Sequence, residues 1–186
     1  TDFDLDATTP ARPAQVKAIL QGWADALWTQ GERFGTIGAM KRVVDPDTGE
    51  SFERIYEITT HRAESYEGHT RKPVVEFADD IVADLSRRDF TVNAMAIELT
   101  TDEPLLVDPF DGAADLAAGV LRTPLEPHVS FSDDPLRMLR AARFIARYEL
   151  TPTADLVAAV TEMAGRLAIV SAERVHDEMF KLLAAP

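Results

Sequence analysis

The spacing of hydrophobic and polar positions differs between the first and second parts of this chain. In the first 122 residues, alternating and helical spacings predict three strands and two helices: strands at 36–44, 52–60 and 105–107, and helices at 13–29 and 79–96. The turn-forming segment Asp45-Pro-Asp-Thr-Gly49 joins the first two strands, so they are predicted to form a hairpin. The residues 123–186 show helical spacing alone. The pattern predicts a mixed α/β part over 1–122 and a helical part over 123–186.

Three local signals mark the helix starts of the second part. Asp134 followed by Pro135 is typical of an N-cap and a first helical residue. Pro152 is predicted to restart a helix, and Ser171 is predicted to cap the next one. These signals predict at least three successive helices after residue 134.

The composition is that of a folded chain with an excess of acid. Of the 186 residues, 46% are hydrophobic and 27% are charged. The formal net charge of −13 argues against a broad basic surface that holds nucleic acid non-specifically. The excess is uneven, because residues 1–122 carry 12 basic and 23 acidic side chains while residues 123–186 carry 7 and 9. The helical part is therefore nearly neutral.

The residue types and apolar runs that the chain lacks exclude several kinds of site and several classes of protein. The chain has no cysteine, which excludes disulfide scaffolds, thiolate catalysis and cysteine-based zinc sites. It has no apolar run of about 18 residues, and its start at Thr1–Asp6 is acidic, unlike a signal peptide. We therefore expect a cytoplasmic protein with no membrane partner.

Acidic residues at the start of the chain are candidates for metal binding. Asp2, Asp4 and Asp6 alternate with apolar residues, so a strand would place their carboxylates on one face. Hard ions such as Mg²⁺ prefer oxygen ligands. Glu57 is a further candidate, because it is an acid within an otherwise apolar and β-branched strand. The alternatives are a solvated acidic end and an outward-facing Glu57.

Arginines in two segments are candidates for phosphate or base contacts. Arg87-Arg-Asp-Phe-Thr-Val-Asn93 places a basic pair and an amide at helical spacing, although solvated arginines with local caps would give the same pattern. In the helix after Asp134, four arginines fall within about 120° of one face, opposite an apolar stripe: Arg137, Arg140, Arg143 and Arg147. The alternative there is a solvated helix with an ion pair between Asp134 and Arg137.

Seven segments, taken in order, resemble the class II tRNA nucleotidyltransferase and bacterial poly(A) polymerase family. They are Asp4-Leu-Asp6 with Thr8-Thr9, Phe34-Gly-Thr36, Glu57-Ile-Thr-Thr60, Arg87-Arg-Asp-Phe-Thr-Val-Asn93, Asp108-Pro-Phe-Asp-Gly112, Asp133-Asp-Pro-Leu-Arg137 with Arg140 and Arg143, and Glu173-Arg174. Each segment alone is a weak signal, whereas the seven in register are specific.

The resemblance implies an α+β fold, with a DNA polymerase beta-like head on a mostly antiparallel sheet followed by a helical neck. It implies catalytic carboxylates at Asp4, Asp6 and Glu57, of which Asp4 and Asp6 bind Mg²⁺. It also implies six nucleotide-binding residues: Arg88, Asn93, Asp134, Arg137, Arg140 and Arg143. The implied activity adds CMP and AMP from CTP and ATP to the 3′ end of tRNA, with release of pyrophosphate.

The implied base readers are chemically consistent with this choice of nucleotides. Cytosine and adenine both present an amino donor beside a ring-nitrogen acceptor, which complements the Asp134 carboxylate and the Arg137 guanidinium. Uracil and guanine present the opposite arrangement and would leave buried polar groups unpaired. One residue pair can therefore admit CTP and ATP and reject UTP and GTP.

Departures from the family pattern leave alternatives open. The family carries a Gly-Gly loop and a Val-Arg-Asp segment upstream of the aspartates, and a body and tail downstream of the neck, so we expect this chain to be a head and neck fragment. Asp133 stands where the family usually has Glu. Poly(A) addition, split CC- or A-addition, and a catalytically incomplete nucleotide- or RNA-binding fragment remain alternatives, and the oligomeric state is open.

Overall fold

The computed structural model describes residues 4–65 and 74–185, apart from the side chains of Asp4, 63–65 and 74–76. The chain divides into two units, Thr1–Asp84 and Leu85–Pro186. This division falls earlier in the chain than the predicted head and neck boundary after residue 122. As a boundary between functional domains, the position after residue 122 stays a prediction.

The first unit is built on a four-stranded sheet. Its elements are β1 (Asp4–Thr9), α1 (Pro13–Leu20), β2 (Ala26–Trp28), β3 (Thr36–Val44), β4 (Ser51–Thr60), β5 (Arg62–Ser65), β6 (Val74–Phe77) and the start of α2 (Ile81–Ser86). The strand order is β1-β4-β3-β2, and β5 pairs separately with β6. β1 is parallel to β4, while the other two pairings of the sheet are antiparallel. The predicted hairpin and the mostly antiparallel sheet are confirmed.

One face of this sheet is covered by α1. Val16 and Leu20 of the helix pack against Ile37 and Ala39 of β3, both of which are fully buried. Because side chains alternate along a strand, the residues between them project to the opposite face. The sheet therefore has a core face and a second face that carries the candidate carboxylates.

The helix predicted at 13–29 ends much earlier. α1 stops at Leu20, and Ala26–Trp28 pairs with Gly38–Met40 as an edge strand. The Asp25 carboxylate accepts the backbone N–H of Arg42 at 2.7 Å and the Lys41 ammonium at 3.2 Å. These contacts, the backbone hydrogen bond first, hold the pKa of Asp25 below its usual value. The start of β2 is thus fastened to β3, which helical spacing could not reveal.

The second unit is mainly helical. Its elements are β7 (Ala96–Glu98), β8 (Leu105–Val107), α3 (Gly112–Ala118), β9 (Val120–Leu121), α4 (Pro127–Asp133), α5 (Arg137–Tyr148), β10 (Thr151–Pro152), α6 (Ala154–Met163) and α7 (Ala172–Leu183). Its core joins Phe90, Leu121 and Leu150 to residues of the helices: Phe131, Met138, Ala141, Phe144, Leu156 and Ala159. The residues that precede the helices are therefore part of the same core.

Two predicted elements of this unit are confirmed. A strand occupies Leu105–Val107, as the pattern predicts. Ser171 caps α7, since its hydroxyl accepts the backbone N–H of Arg174.

The helix predicted at 79–96 is wrong in extent. α2 ends at Ser86, and a 3₁₀ turn follows at Thr91–Asn93. The backbone N–H of Thr91 donates to the carbonyl of Arg122, and its hydroxyl donates to Asp115 at 2.7 Å. These contacts with distant residues replace the hydrogen bonds that a continuous helix would make.

Two helices start later than predicted. Asp134 ends α4, and α5 begins at Arg137 after a turn in which Arg137 N–H donates to the Asp134 carbonyl at 3.0 Å. Pro152 belongs to β10, and Thr153 is the N-cap of α6. After Asp134, the N–H groups of Arg137 and Met138 donate to carbonyls three residues earlier, so a tight turn precedes the regular helix. Pro152 is held in a strand because the N–H groups of its neighbours Thr151 and Thr153 donate to carbonyls at Gly119 and Leu121.

No helix in the described part of the chain is long and apolar enough to cross a membrane.

Candidate functional site

The sheet of the first unit brings two predicted catalytic carboxylates side by side. In the parallel pairing of β1 with β4, Asp6 lies opposite Glu57 and Asp4 lies opposite Ile55. Asp6 and Glu57 are both exposed, on the face that α1 does not cover. Asp4 is two residues before Asp6 on β1, so its backbone position belongs to the same face. Its side chain, and all of Asp2, lie outside the described residues.

Electrostatic repulsion makes this face suited to a cation. Cross-strand neighbours have their Cβ atoms about 5 Å apart, and like charges at that spacing destabilise a sheet. Within the described residues, no hydrogen bond or ion pair involves the carboxylate of Asp6 or Glu57. Nor do three His, Asp or Glu side chains of that part come together as metal ligands. The pair together with Asp4 would supply the oxygen donors that Mg²⁺ prefers.

In the second unit, Asp89 holds two of the predicted nucleotide-binding residues. One carboxylate oxygen accepts the Asn93 amide at 3.1 Å, and the other accepts Nε and Nη2 of Arg140 at 2.9 and 2.6 Å. The Arg140 side chain is 31% exposed. Arg88 lies partly buried in the turn after α2, next to Asp89 in the chain. The arginine-rich segment and α5 are thus joined through one acid.

Arg143 is directed to α7. Its Nε donates to the carboxylate of Glu178, which is 3% exposed, and its guanidinium stands over the Phe144 ring at 4.9 Å. Arg140 lies 3.8 Å from the same carboxylate. Two of the four arginines of the predicted stripe, Arg140 and Arg143, are therefore paired with acids from other elements, which sequence spacing does not show.

Asp134, a predicted base reader, lies between α4 and α5. One carboxylate oxygen accepts the backbone N–H of Leu136 at 3.2 Å, and the other accepts Nη2 of Arg174 at 2.7 Å. The partner of Asp134 is therefore on α7, and the local ion pair with Arg137 is not formed. A carboxylate offers about four acceptor positions, so Asp134 keeps capacity for a further donor.

Arg137, the other predicted base reader, is fixed by three acceptors. Nη1 donates to the hydroxyl of Ser130 at 2.9 Å and to its carbonyl at 3.4 Å, while Nη2 donates to the carbonyl of Arg87. Ser130 is 2% exposed. Because a guanidinium has five N–H donors, Arg137 also retains donors for a ligand.

The Asp108–Gly112 segment supports this arrangement without containing a predicted ligand. Both oxygens of Asp108 accept N–H groups at the start of α3, from Gly112 at 2.7 Å and Ala113 at 2.9 Å. A Cβ atom on Gly112 would lie 2.1 Å from the carbonyl oxygen of Thr91. This close approach lets α3 present the buried Asp115 to the Thr91 hydroxyl.

The structure thus groups the predicted residues in two sets. The first unit holds the carboxylates, and the second holds the predicted nucleotide contacts, linked through Asp89 and α7. Sequence reasoning gave no role to four residues that orient them: Asp89, Ser130, Arg174 and Glu178. Asp89 and Arg174 belong to the quoted motif segments, and the absence of acids among the arginines of α5 was a further signal, since such a stripe needs partners from elsewhere. The role of each predicted site residue stays a prediction.

Known proteins share this fold and about a third of this sequence. A family model described as "Poly A polymerase head domain" matches residues 1–122, and one described as "Probable RNA and SrmB- binding site of polymerase A" matches residues 149–186. A CCA-adding enzyme of Ligilactobacillus salivarius is 36% identical over 181 residues, which cover 97% of this chain and 41% of that protein.

Solved structures agree. The crystal structure of the Bacillus stearothermophilus CCA-adding enzyme in complex with CTP matches with a TM-score of 0.76 and 33% identity, over 98% of this chain and 40% of that one. The Thermotoga maritima CCA-adding enzyme complexed with tRNA matches with a TM-score of 0.71 and 29% identity, over 100% of this chain and 40% of that one. This chain therefore spans about two fifths of the length of these relatives.

The match to the head-domain model over residues 1–122, the agreement in fold and the motifs in register lead to one conclusion. The chain belongs to the family of nucleotidyltransferases that comprises the CCA-adding enzymes and the bacterial poly(A) polymerases.

Proposed function

We propose that the protein containing this chain adds CMP and AMP, from CTP and ATP, to the 3′ end of tRNA. The observation that carries the proposal is the β1 and β4 register, which puts Asp6 beside Glu57 on an exposed face without ion-pair partners among the described residues. Similarity to CCA-adding enzymes in complex with CTP and with tRNA supports this choice of substrates. A cytoplasmic location follows from the same activity and is part of the proposal.

Asp6 and Glu57 fit a divalent cation, and we assign Mg²⁺ to Asp6 and to Asp4, which is two residues earlier on the same strand. Exposed oxygen donors on one sheet face are suited to hard ions, and a cation would relieve the repulsion between neighbouring carboxylates. Bound Mg²⁺ would lower the pKa of the attacking hydroxyl and stabilise the leaving pyrophosphate.

The reaction itself is a displacement at phosphorus. The 3′-hydroxyl oxygen of the RNA forms a bond to the α-phosphorus of the nucleotide, while the bond from that phosphorus to the pyrophosphate oxygen breaks. The hydroxyl proton passes to solvent. The residues of the chain hold the two substrates for this step, which is the main task of a protein in phosphoryl transfer.

Asp134 and Arg137 select the nucleotide in this proposal. The Asp134 carboxylate accepts the exocyclic amino group of cytosine or adenine, and Arg137 donates to the adjacent ring nitrogen. Both side chains are already held by neighbours, Asp134 by Arg174 and Arg137 by Ser130. Because they are oriented in advance, an incorrect base cannot be accommodated by a simple rotation of either side chain.

The test is nucleotide incorporation by the full-length protein. A tRNA transcript that lacks its CCA end is incubated with each labelled nucleotide separately. We expect incorporation of CMP, incorporation of labelled AMP when unlabelled CTP is also supplied, and at least a hundredfold less incorporation of UMP or GMP. Incorporation of AMP alone onto any RNA would instead establish a poly(A) polymerase, and incorporation limited to CMP would establish a CC-adding enzyme.

A matched variant checks the base-reading assignment. Asp134→Ala in the full-length protein removes the acceptor and is expected to reduce the preference for CTP over UTP at least tenfold. Asp177→Ala removes an acid of α7 whose side chain is 64% exposed; it serves as control and should keep the preference. Unchanged discrimination in Asp134→Ala would contradict the assignment.

A further inference from the structure

Trp28 lies on the same sheet face as the catalytic carboxylates. Strand pairing places Asp6 opposite Glu57, Glu57 opposite Gly38, and Gly38 opposite Trp28. Directly paired residues project to the same side of a sheet, so these four form one row across the four strands. Trp28 is the only aromatic residue that β1 to β4, all of them described, place on this face.

The indole of Trp28 leans over β3 toward Glu57. A Cβ atom built on Gly38 would lie 1.9 Å from Nε1 and 2.1 Å from Cε2 of Trp28, so the ring occupies the space above that glycine. Neighbouring strands are about 4.8 Å apart. The ring over β3 is therefore about one strand spacing from the strand that carries Glu57.

The surface around the ring is apolar and accessible. Met40 and Ile55 pair with each other in the adjacent row of the same face, and Ile55 is 36% exposed. Trp28 itself is partly exposed. An aromatic ring with apolar neighbours beside a pair of carboxylates offers a stacking surface for a flat base next to the reacting groups.

We propose that Trp28 stacks on the base of the 3′-terminal nucleotide of the RNA acceptor. The inference rests on the proposed function, in which the terminal ribose must bring its hydroxyl to the carboxylates of this face. The base of that nucleotide then lies within one nucleoside length of the ribose. The incoming nucleotide has its own predicted readers in the second unit, Asp134 and Arg137, whereas the acceptor base has none.

The chemistry of repeated addition favours stacking over hydrogen bonding at this position. CCA addition requires the same site to accept RNA ending first in the tRNA's own last base and then in cytidine. Hydrogen-bond donors fixed to one base edge would reject the others. Stacking on an aromatic side chain tolerates every base, because each has a π-face.

The test compares Trp28→Leu and Trp28→Phe in the full-length protein, with Trp23→Leu as the matched control. Trp23 is 41% exposed and contacts Tyr56, which belongs to the core face, with ring centroids 5.1 Å apart. We expect Trp28→Leu to raise the KM for the RNA about tenfold, with the KM for CTP within twofold of wild type. In Trp28→Phe and Trp23→Leu, the KM values for the RNA and for CTP should stay within about threefold of wild type.

A measurement on the wild-type protein removes the dependence on variant folding. An RNA acceptor with 2-aminopurine as its last base is titrated with protein in the absence of nucleotide. Stacking on Trp28 is expected to quench the fluorescence of that base, and Trp28→Phe should retain the quenching. Absence of quenching in wild type, or an unchanged RNA KM in folded Trp28→Leu, would overturn the stacking proposal.

These outcomes are distinct from failure of the proposed function. If the wild-type protein extends no RNA, the nucleotidyl transfer itself is refuted. If it extends RNA while Trp28→Leu behaves as wild type, only the role of Trp28 is refuted.

Discussion

Single residues on the second face of the sheet carry the chemistry proposed for the first unit. Asp6 and Glu57 come from strands that are far apart in sequence, and the parallel register alone makes them neighbours. Two exposed carboxylates at this spacing are unfavourable unless a cation or a donor is supplied. The presence of both acids side by side therefore indicates a ligand-binding role more strongly than either acid does by itself.

Removal of a carboxylate from this face should stop the reaction. We expect Asp4→Ala, Asp6→Ala and Glu57→Gln in the full-length protein to lower nucleotide incorporation by at least a hundredfold, because each removes an oxygen donor from the proposed metal site. Initial rates with a tRNA lacking its CCA end measure the effect.

The control for these variants lies on β4, the strand that carries Glu57. Glu53→Gln removes an exposed acid on the same face of β4, where Glu53 pairs with Arg42 at 3.2 Å and lies four residues from Glu57, outside the described pairing with β1. It should change the rate by less than twofold, since surface ion pairs contribute little. Turnover that persists in Asp6→Ala would show that the metal assignment is wrong.

At the scale of elements, short helices and turns orient the predicted nucleotide contacts. α7 contributes Arg174 to Asp134 and Glu178 to Arg143, so it contacts both the turn before α5 and the middle of that helix. α3 contributes Asp115 to Thr91, at the 3₁₀ turn that contains Asn93. The nucleotide-binding prediction therefore depends on elements that contain none of its residues.

The close approach of α3 to this turn predicts a stability effect. In Gly112→Ala, the new methyl group would meet the Thr91 carbonyl, which is backbone and cannot move aside cheaply. We expect a loss of about 2 kcal/mol or more in the free energy of unfolding, measured by urea denaturation.

Gly165→Ala is the matched control for this substitution. Gly165 lies in the 3₁₀ segment Ala164–Ile169, and a Cβ atom there would have no neighbour within 4 Å. Its effect should stay within about 0.5 kcal/mol. Equal urea midpoints of unfolding for Gly112→Ala and Gly165→Ala would contradict the packing argument.

For the whole molecule, charge distribution limits what this chain can bind alone. The net charge is −13, and Arg140 and Arg143 are paired with Asp89 and Glu178. Phosphate binding by proteins depends on cationic side chains that are available to neutralise it. The acidity leaves room for contacts with one nucleotide and one RNA end, but not for a general RNA-binding surface.

The 186-residue chain by itself is accordingly expected to bind substrates weakly. In isothermal titration calorimetry at about 0.15 M salt, its Kd for tRNA should be weaker than about 100 µM, and CTP should also bind poorly. The full-length protein under the same conditions is the positive control. Micromolar binding of CTP by the 186-residue chain would contradict this expectation.

Much of the fold could be predicted because its signals are local. The hairpin of β3 and β4, the strand at Leu105–Val107 and the Ser171 cap all depend on residues adjacent in sequence. The apolar side of α5 was also identified correctly, since Met138 and Ala141 are buried. The errors occurred where a distant partner decides the local structure, as for β2 against β3 and for Thr91 against Arg122.

The sequence alone determined the family and the residue types of the site, because motif spacing and side-chain chemistry are properties of the chain itself. The tertiary structure decided which groups are neighbours. Strand register places Asp6 beside Glu57 and turns Trp28 toward them, and tertiary packing gives Arg140 and Arg143 their acidic partners. Such contacts depend on distances between segments far apart in sequence, which only folding brings together.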